Sequence, residues 1–152
     1  MIPFLKPVLV VEDSTEDFTA LGRAFRKHGL QNPVLRCEDG DQALEYLQGY
    51  GTSSQLPSDL PAIILLDLNM PQLGGLDVLD AIRADAELHD IPVIMLTTSG
   101  EPSDIQACYK RGPNGYLVKP PDLSVFAETL KATITFWLGV NQISQAPAVQ
   151  PA

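Results

Sequence analysis

Five short runs of apolar residues punctuate the chain, and between them apolar positions recur every three or four residues. Val8-Leu9-Val10-Val11 is the first run, Val34-Leu35-Arg36-Cys37 a weaker second, and Ala62-Ile63-Ile64-Leu65-Leu66 the strongest. Pro92-Val93-Ile94-Met95-Leu96 and Gly115-Tyr116-Leu117-Val118 complete the set. Runs this apolar suit strands covered on both faces, as in a parallel sheet.

The intervening segments carry a helical period. Phe18, Leu21 and Phe25 mark the first, with Ser14 and Asp17 spaced as a capping box and Gly29 placed to end it. Ala43, Leu44 and Leu47 mark a second, closed by Gly49; Leu79, Ile82 and Ala86 a third; Ile105 and Cys108 a fourth, ending near Gly112-Pro113. The longest runs over about 123–138, with Leu123, Phe126, Leu130, Ile134 and Trp137 as its core stripe. Strict alternation of five strands with five helices predicts an α/β sheet covered by helices on both sides. A Gly/Ser/Pro-rich connection fills 49–61, and the Gln/Ala/Pro tail at 143–152 has no periodicity and reads as disordered. One domain over 1–142 is the expectation.

Length and charge narrow the picture. A chain of 152 residues buries roughly 70% of its unfolded surface in a single core, so it needs no disulfide or structural metal. Cys37 and Cys108 lack ligand spacing and read as buried hydrophobes in a reducing, cytoplasmic compartment. No signal peptide or membrane span is recognisable. A formal charge of −9 argues against direct nucleic-acid binding and against anionic membrane surfaces, and suits a cation or a protein partner.

The polar residues that follow the strands carry the chemistry. Glu12-Asp13 follow the first run, Asp67 ends the third, Thr97-Thr98 follow the fourth and Lys119 follows the fifth. In a parallel sheet these carboxyl ends share one edge, where ligands bind. Each residue alone has an ordinary reading as a helix cap, a turn or a solvated lysine. Converging from positions a hundred residues apart, they put three carboxylates and one ammonium in a small space. Such a cluster favours a hard cation with oxygen ligands, and Mg²⁺ fits because it accepts one or two carboxylates and a phosphoryl oxygen. A carboxylate is also a nucleophile able to form an aspartyl-phosphate, with metal and lysine stabilising the transferring charge and Thr97 donating to the phosphate.

At these residues the sequence resembles a response-regulator receiver domain, through VLVVEDS (8–14), ILLDLNMP (64–71), PVIMLTTS (92–99) and GYLVKP (115–120). The resemblance implies a flavodoxin-like (βα)5 fold with strand order 2-1-3-4-5. It implies Asp67 as phosphoacceptor, Glu12 and Asp13 as the acidic pair around Mg²⁺, and the Asn69 backbone carbonyl as a further metal ligand. Thr97 and Tyr116 become the switch pair, Lys119 the phosphate-contacting lysine, and the Lys119–Pro120 bond is expected to be cis. The 49–61 connection, DLNMP, LTTS and the ending ITFWL are similar to small receivers that partner phytochrome-type histidine kinases. Gly74-Gly75 departs from the commoner Asp-Gly, and Pro113 and Pro121 stiffen the loops around the fifth strand.

This reading makes the protein a phosphorylation-activated signalling receiver rather than an enzyme, apart from taking a phosphoryl group onto itself and losing it again. Its expected partners are a histidine kinase, of phytochrome type by the narrower resemblance, and an unidentified downstream protein. A degenerate receiver serving only as an interaction module is the alternative, though no site residue is missing. A flavodoxin-like enzyme is the other: a phosphatase of this chemistry needs a carboxylate where Asn69 stands, and Glu12-Asp13 repel a flavin phosphate. Val125, Phe136 and Leu138 fall outside the stripe of the last helix, which predicts a homodimer through the fourth helix, fifth strand and fifth helix.

Overall fold

The computed structural model describes residues 5–49 and 60–142. Strands β1 (Val8–Val11), β2 (Val34–Cys37), β3 (Ile63–Asp67), β4 (Val93–Thr97) and β5 (Gly115–Val118) alternate with five helices. These are α1 (Thr15–Lys27), α2 (Gly40–Gln48), α3 (Gly75–Ala84), α4 (Pro102–Tyr109) and α5 (Leu123–Ile134), the last extended by a π-helical turn at Thr135–Val140. The strands form one parallel sheet in the order β2-β1-β3-β4-β5. Most of the 49–61 connection (50–59) and the 143–152 tail lie outside the described residues.

Two cores sandwich the sheet, and the period-2 alternation of the strands divides residues between them. Leu9, Val11, Ile64, Leu66, Val93 and Met95 point to one side, against Ala43 and Leu47 of α2, Val78, Leu79 and Ile82 of α3, and Cys108 of α4. Val8, Val10, Ile63, Leu65, Ile94 and Leu96 point to the other, against Leu21 and Phe25 of α1 and Phe126 and Leu130 of α5. The three central strands are buried along their whole length, whereas β2 and β5, at the edges, are mostly half-exposed. That explains why their apolar runs were the less continuous ones.

Helix ends follow local chemistry. The Leu30 and Gly29 N–H groups donate to the carbonyls of Phe25 and Arg26, and Gly29 takes a φ of +76°, a Schellman stop that a glycine accommodates without strain. Only half of the expected capping box forms at the other end of α1: Ser14 Oγ accepts from the Asp17 N–H at 3.2 Å, while the Asp17 carboxylate turns into the sheet edge instead.

Four further expectations are corrected. Ala86 lies beyond α3 and is exposed, because α3 ends at Ala84. Leu123 is 67% exposed, since the first turn of α5 overhangs the sheet, and Leu138 packs partly against the core. No peptide bond among the described residues is cis, Lys119–Pro120 included; trans is the intrinsically favoured form even before proline, by about 0.5–1 kcal/mol.

Candidate functional site

The carboxyl ends of β1, β3, β4 and β5 meet at the point where strand order reverses, and each delivers at least one polar group there. Glu12, directly after β1, is buried; Asp13 beside it is exposed; Asp67, the last residue of β3, is buried. Carboxylate oxygens of these three lie within 4.8 Å of one another. Lys119 enters from the end of β5, and its N–H donates to the Thr97 carbonyl at 2.6 Å. Its Nζ donates to Glu12 Oε1 and, at 2.9 Å, to Asp17 Oδ2. Asp67 Oδ2 is 3.8 Å from Nζ, an ion pair too long to be a hydrogen bond.

A second tier of residues fixes this geometry. Arg36, the one charge inside the β2 run, stacks over Phe18 with its guanidinium carbon 5.2 Å from the ring centroid. It donates to the carbonyls of Glu12 (3.1 Å) and Asp13 (3.3 Å) and to Thr15 Oγ1, so one fork braces the loop that carries the acidic pair. Below Asp67, a Cβ on Gly75 would come 2.3 Å from the Asp67 carbonyl oxygen. Gly75 therefore matters to the site as well as to the turn. Gln72, in the loop between β3 and α3, has a φ of +63°, a left-handed conformation costly for a residue with a side chain.

On the β4–β5 side, Thr97 is fully buried. Its Oγ1 accepts from the Ser99 N–H at 3.2 Å and from Asn69 Nδ2 at 3.4 Å. The Asn69 N–H donates to Asp67 Oδ1 at 3.2 Å. Tyr116, half-buried against the core, donates its hydroxyl to the Ser99 carbonyl at 2.8 Å. Ser99 Oγ in turn donates to Asp104 Oδ2 at 2.5 Å, linking the loop after β4 to α4.

A family model described as the response regulator receiver domain matches residues 8–131. The chain belongs to the response-regulator receiver family. It is 36% identical over 149 residues to the probable methanogenesis regulatory protein FilR2 of Methanothrix harundinacea, covering 96% of this chain and 90% of that one. Identity to the response regulator Rcp1 of Synechocystis is 34% over 133 residues, covering 88% and 89%. The Mn²⁺-bound form of Rcp1 has a TM-score of 0.80 to this receiver at 31% identity, covering 91% and 99%. The phosphorylated cyanobacterial phytochrome response regulator RcpA gives 0.83 at 32% identity, covering 93% and 99%. The flavodoxin-like receiver fold and the signalling class follow.

Electrostatics of the receiver pocket favour a cation. Burial, with the Asp67 carboxylate alongside, pushes the Glu12 pKa up to about 8 against the opposing pull of Lys119. Burial works to lower the Lys119 pKa, but its bonds to Glu12 and Asp17 and the nearby Asp67 charge outweigh that and raise it, so it stays an ammonium. Glu12 Oε2 is buried without a hydrogen-bond partner. An orphaned carboxylate oxygen in a cluster of three carboxylates suits a divalent metal, which would offset the desolvation and the repulsion together. Both cysteines are buried and unpaired, and burial pushes the Cys37 thiol up to about 11 and raises that of Cys108, leaving both poor nucleophiles.

The structure thus brings Glu12, Asp13, Asp67, Asn69, Thr97, Tyr116 and Lys119 to one edge. Sequence reasoning missed three contributors. Asp17 was hidden behind its capping spacing, and Gly75 behind an ordinary turn. Arg36 had a signal, a charge inside a strand run, that went unused.

Proposed function

We propose that Asp67 accepts a phosphoryl group from a histidine kinase, with Mg²⁺ held by Glu12, Asp13, Asp67 and the Asn69 carbonyl. The supporting observation is that Asp67, alone among the described residues, combines a strand-end position, carboxylate oxygens of the acidic pair within 4.8 Å and Lys119 Nζ 3.8 Å away. One Asp67 oxygen attacks phosphorus as the P–N bond of the phosphohistidine breaks, and the imidazole leaves with the bonding electron pair. Mg²⁺ supplies charge compensation for the transferring group. Lys119 supplies a second positive charge, and Thr97 Oγ1, released from its Ser99 and Asn69 contacts, donates to a phosphoryl oxygen. Acetyl phosphate or beryllofluoride with Mg²⁺ should modify wild type once and Asp67→Asn not at all by intact mass. An adduct of normal yield on Asp67→Asn moves the acceptor elsewhere.

Tyr116 and Thr97 couple the phosphate to the α4–β5–α5 face, because movement of Thr97 opens space behind it and the Ser99 carbonyl already tethers the Tyr116 ring. That face also carries the dimer. Tyr109, Val118, Leu123, Val125, Phe136 and Val140 are exposed on or near it, Phe136 at 49%. By length and composition Leu123–Val140 is apolar enough to cross a membrane, but Phe126, Leu130 and Thr133 are buried in the fold. A second copy of the same face would cover the outward apolar residues. Similarity to the phytochrome response regulator RcpA favours a phytochrome-type kinase as donor. Phosphotransfer from such a kinase in preference to unrelated histidine kinases tests that partnership.

A further inference from the structure

Lys119 is held by more carboxylates than the proposed chemistry uses. Its ammonium has three protons to donate. Glu12 Oε1 takes one and Asp17 Oδ2, at 2.9 Å, takes another, while Asp67 waits at 3.8 Å. Asp17 does not belong to the group of three carboxylates able to share a cation, Glu12, Asp13 and Asp67, among the described residues. It stands on the first turn of α1, where the Ser14 Oγ bond to its N–H fixes the backbone and leaves the carboxylate free to reach across. A divalent ion on the trio would neutralise much of the hold of Glu12 and Asp67 on the lysine. Asp17 would keep its full charge. In the metal-loaded, unphosphorylated receiver, Asp17 is therefore the anion that retains Nζ.

We propose that Asp17 is a positioning residue that parks Lys119 away from Asp67 and releases it only to the incoming phosphoryl group, so that it slows phosphorylation. This rests on Asp67 being the acceptor. A phosphoryl group carries close to two negative charges and outcompetes a carboxylate that is 44% exposed, whose attraction solvent screens. At 2.9 Å from Asp17 and 3.8 Å from Asp67, Nζ closes on a transferring oxygen by lengthening the Asp17 contact.

The test follows phosphorylation by acetyl phosphate in saturating Mg²⁺ for wild type, Asp17→Asn, Asp17→Glu and Glu16→Gln. Glu16 is an exposed acid on the same turn, so its variant measures general charge repulsion. Asp17→Asn should react roughly two- to fivefold faster, the scale of a partly exposed ion pair, Asp17→Glu should return towards wild type, and Glu16→Gln should change little. Mg²⁺ affinity by calorimetry without phosphodonor should stay within about twofold in Asp17→Asn, because Asp17 is not a ligand. In a Lys119→Gln background the Asp17→Asn gain should vanish; Lys119→Met serves if that protein is unstable. Equal acceleration by Glu16→Gln, a gain that persists without Lys119, or no gain at all overturns the proposal. A wild type that is never modified at Asp67 overturns the acceptor assignment instead, a result distinguishable at the first measurement.

Discussion

Gly75 shows how one absent side chain sets the backbone of the proposed phosphoacceptor. Its Cα lies so close to the Asp67 backbone that a methyl group would overlap the Asp67 carbonyl oxygen at 2.3 Å and crowd Leu68 Cα at 2.9 Å. Backbone on both sides leaves no flexible side chain to yield. Gly75→Ala should therefore destabilise the fold by about 2 kcal/mol or more through overpacking, and lower the rate of Asp67 modification beyond what the lost stability explains. Denaturant titration beside phosphorylation kinetics checks both. Gly74→Ala is the control, because its nearest neighbour, the Leu68 carbonyl oxygen, would lie at an ordinary 3.8 Å. Residues one position apart thus differ sharply in tolerance, and nothing local to the Gly-Gly pair distinguishes them.

At the scale of elements, the β1–α1 loop holds two of the three acidic residues, and an edge strand braces it. Arg36 of β2 reaches the Glu12 and Asp13 carbonyls and Thr15 while lying against Phe18 of α1. Its guanidinium fork engages several acceptors at once, which the single ammonium of lysine does not reproduce. Arg36→Ala should cost about 1–3 kcal/mol of stability. It should also weaken Mg²⁺ binding several-fold with all carboxylates intact, and Arg36→Lys should recover only part of either loss. Unchanged Mg²⁺ affinity in a folded Arg36→Ala protein would separate the brace from the metal site. A comparable clamp holds the other end of the sheet. Arg83 of α3 donates to the Gly112, His89 and Ile91 carbonyls and to Asn114 Oδ1, so the proline-containing loop before β5 is tied down as well as stiff.

For the whole molecule, the metal-free pocket couples folding to pH. Glu12 has a folded pKa near 8 against an ordinary 4.5, so the folded chain keeps a proton that the unfolded chain loses. Its contribution is fully present below about 4.5 and fades as pH rises through about 8, at a limit of about 1.4 kcal/mol per pH unit. The Lys119 shift lies above this window and does not reverse the sign. In EDTA, wild type should lose melting temperature from pH 5 to 9 relative to Glu12→Gln, and saturating Mg²⁺ should remove most of that difference. Equal pH slopes for the two proteins in EDTA would place the buried charge elsewhere. Assembly is the second molecular property. Sedimentation across a concentration series should show a wild-type dimer and a Phe136→Asp monomer. Beryllofluoride should shift the wild-type equilibrium, and Thr97→Ala should bind it without that shift. A wild type that stays monomeric at high micromolar concentration with and without beryllofluoride would leave the apolar face without this partner.

The sequence alone determined the alternation of elements, because a strand covered on both faces must be apolar at every position, as Ile63-Ile64-Leu65-Leu66 is. It also determined which edge carries chemistry: Glu12, Asp67, Thr97 and Lys119 each break an apolar run at its carboxyl end, and parallel strands align those ends. β1, β2 and β5 lie where their runs predicted, and β3 and β4 begin one residue later and end one residue later, the added Asp67 and Thr97 being polar. Only the tertiary structure decided which polar groups touch. Asp17 has the spacing of a helix cap, yet its carboxylate joins Lys119, 102 residues away, because an ammonium in a nearly closed pocket attracts it more strongly than a backbone N–H does. Leu123 has the period of a core residue but overhangs the sheet, and Gly75 reads as a turn until the Asp67 carbonyl lies against it. Periodicity records which face a residue occupies along its own element; contact depends on where other elements end, and that is set by packing across the sheet.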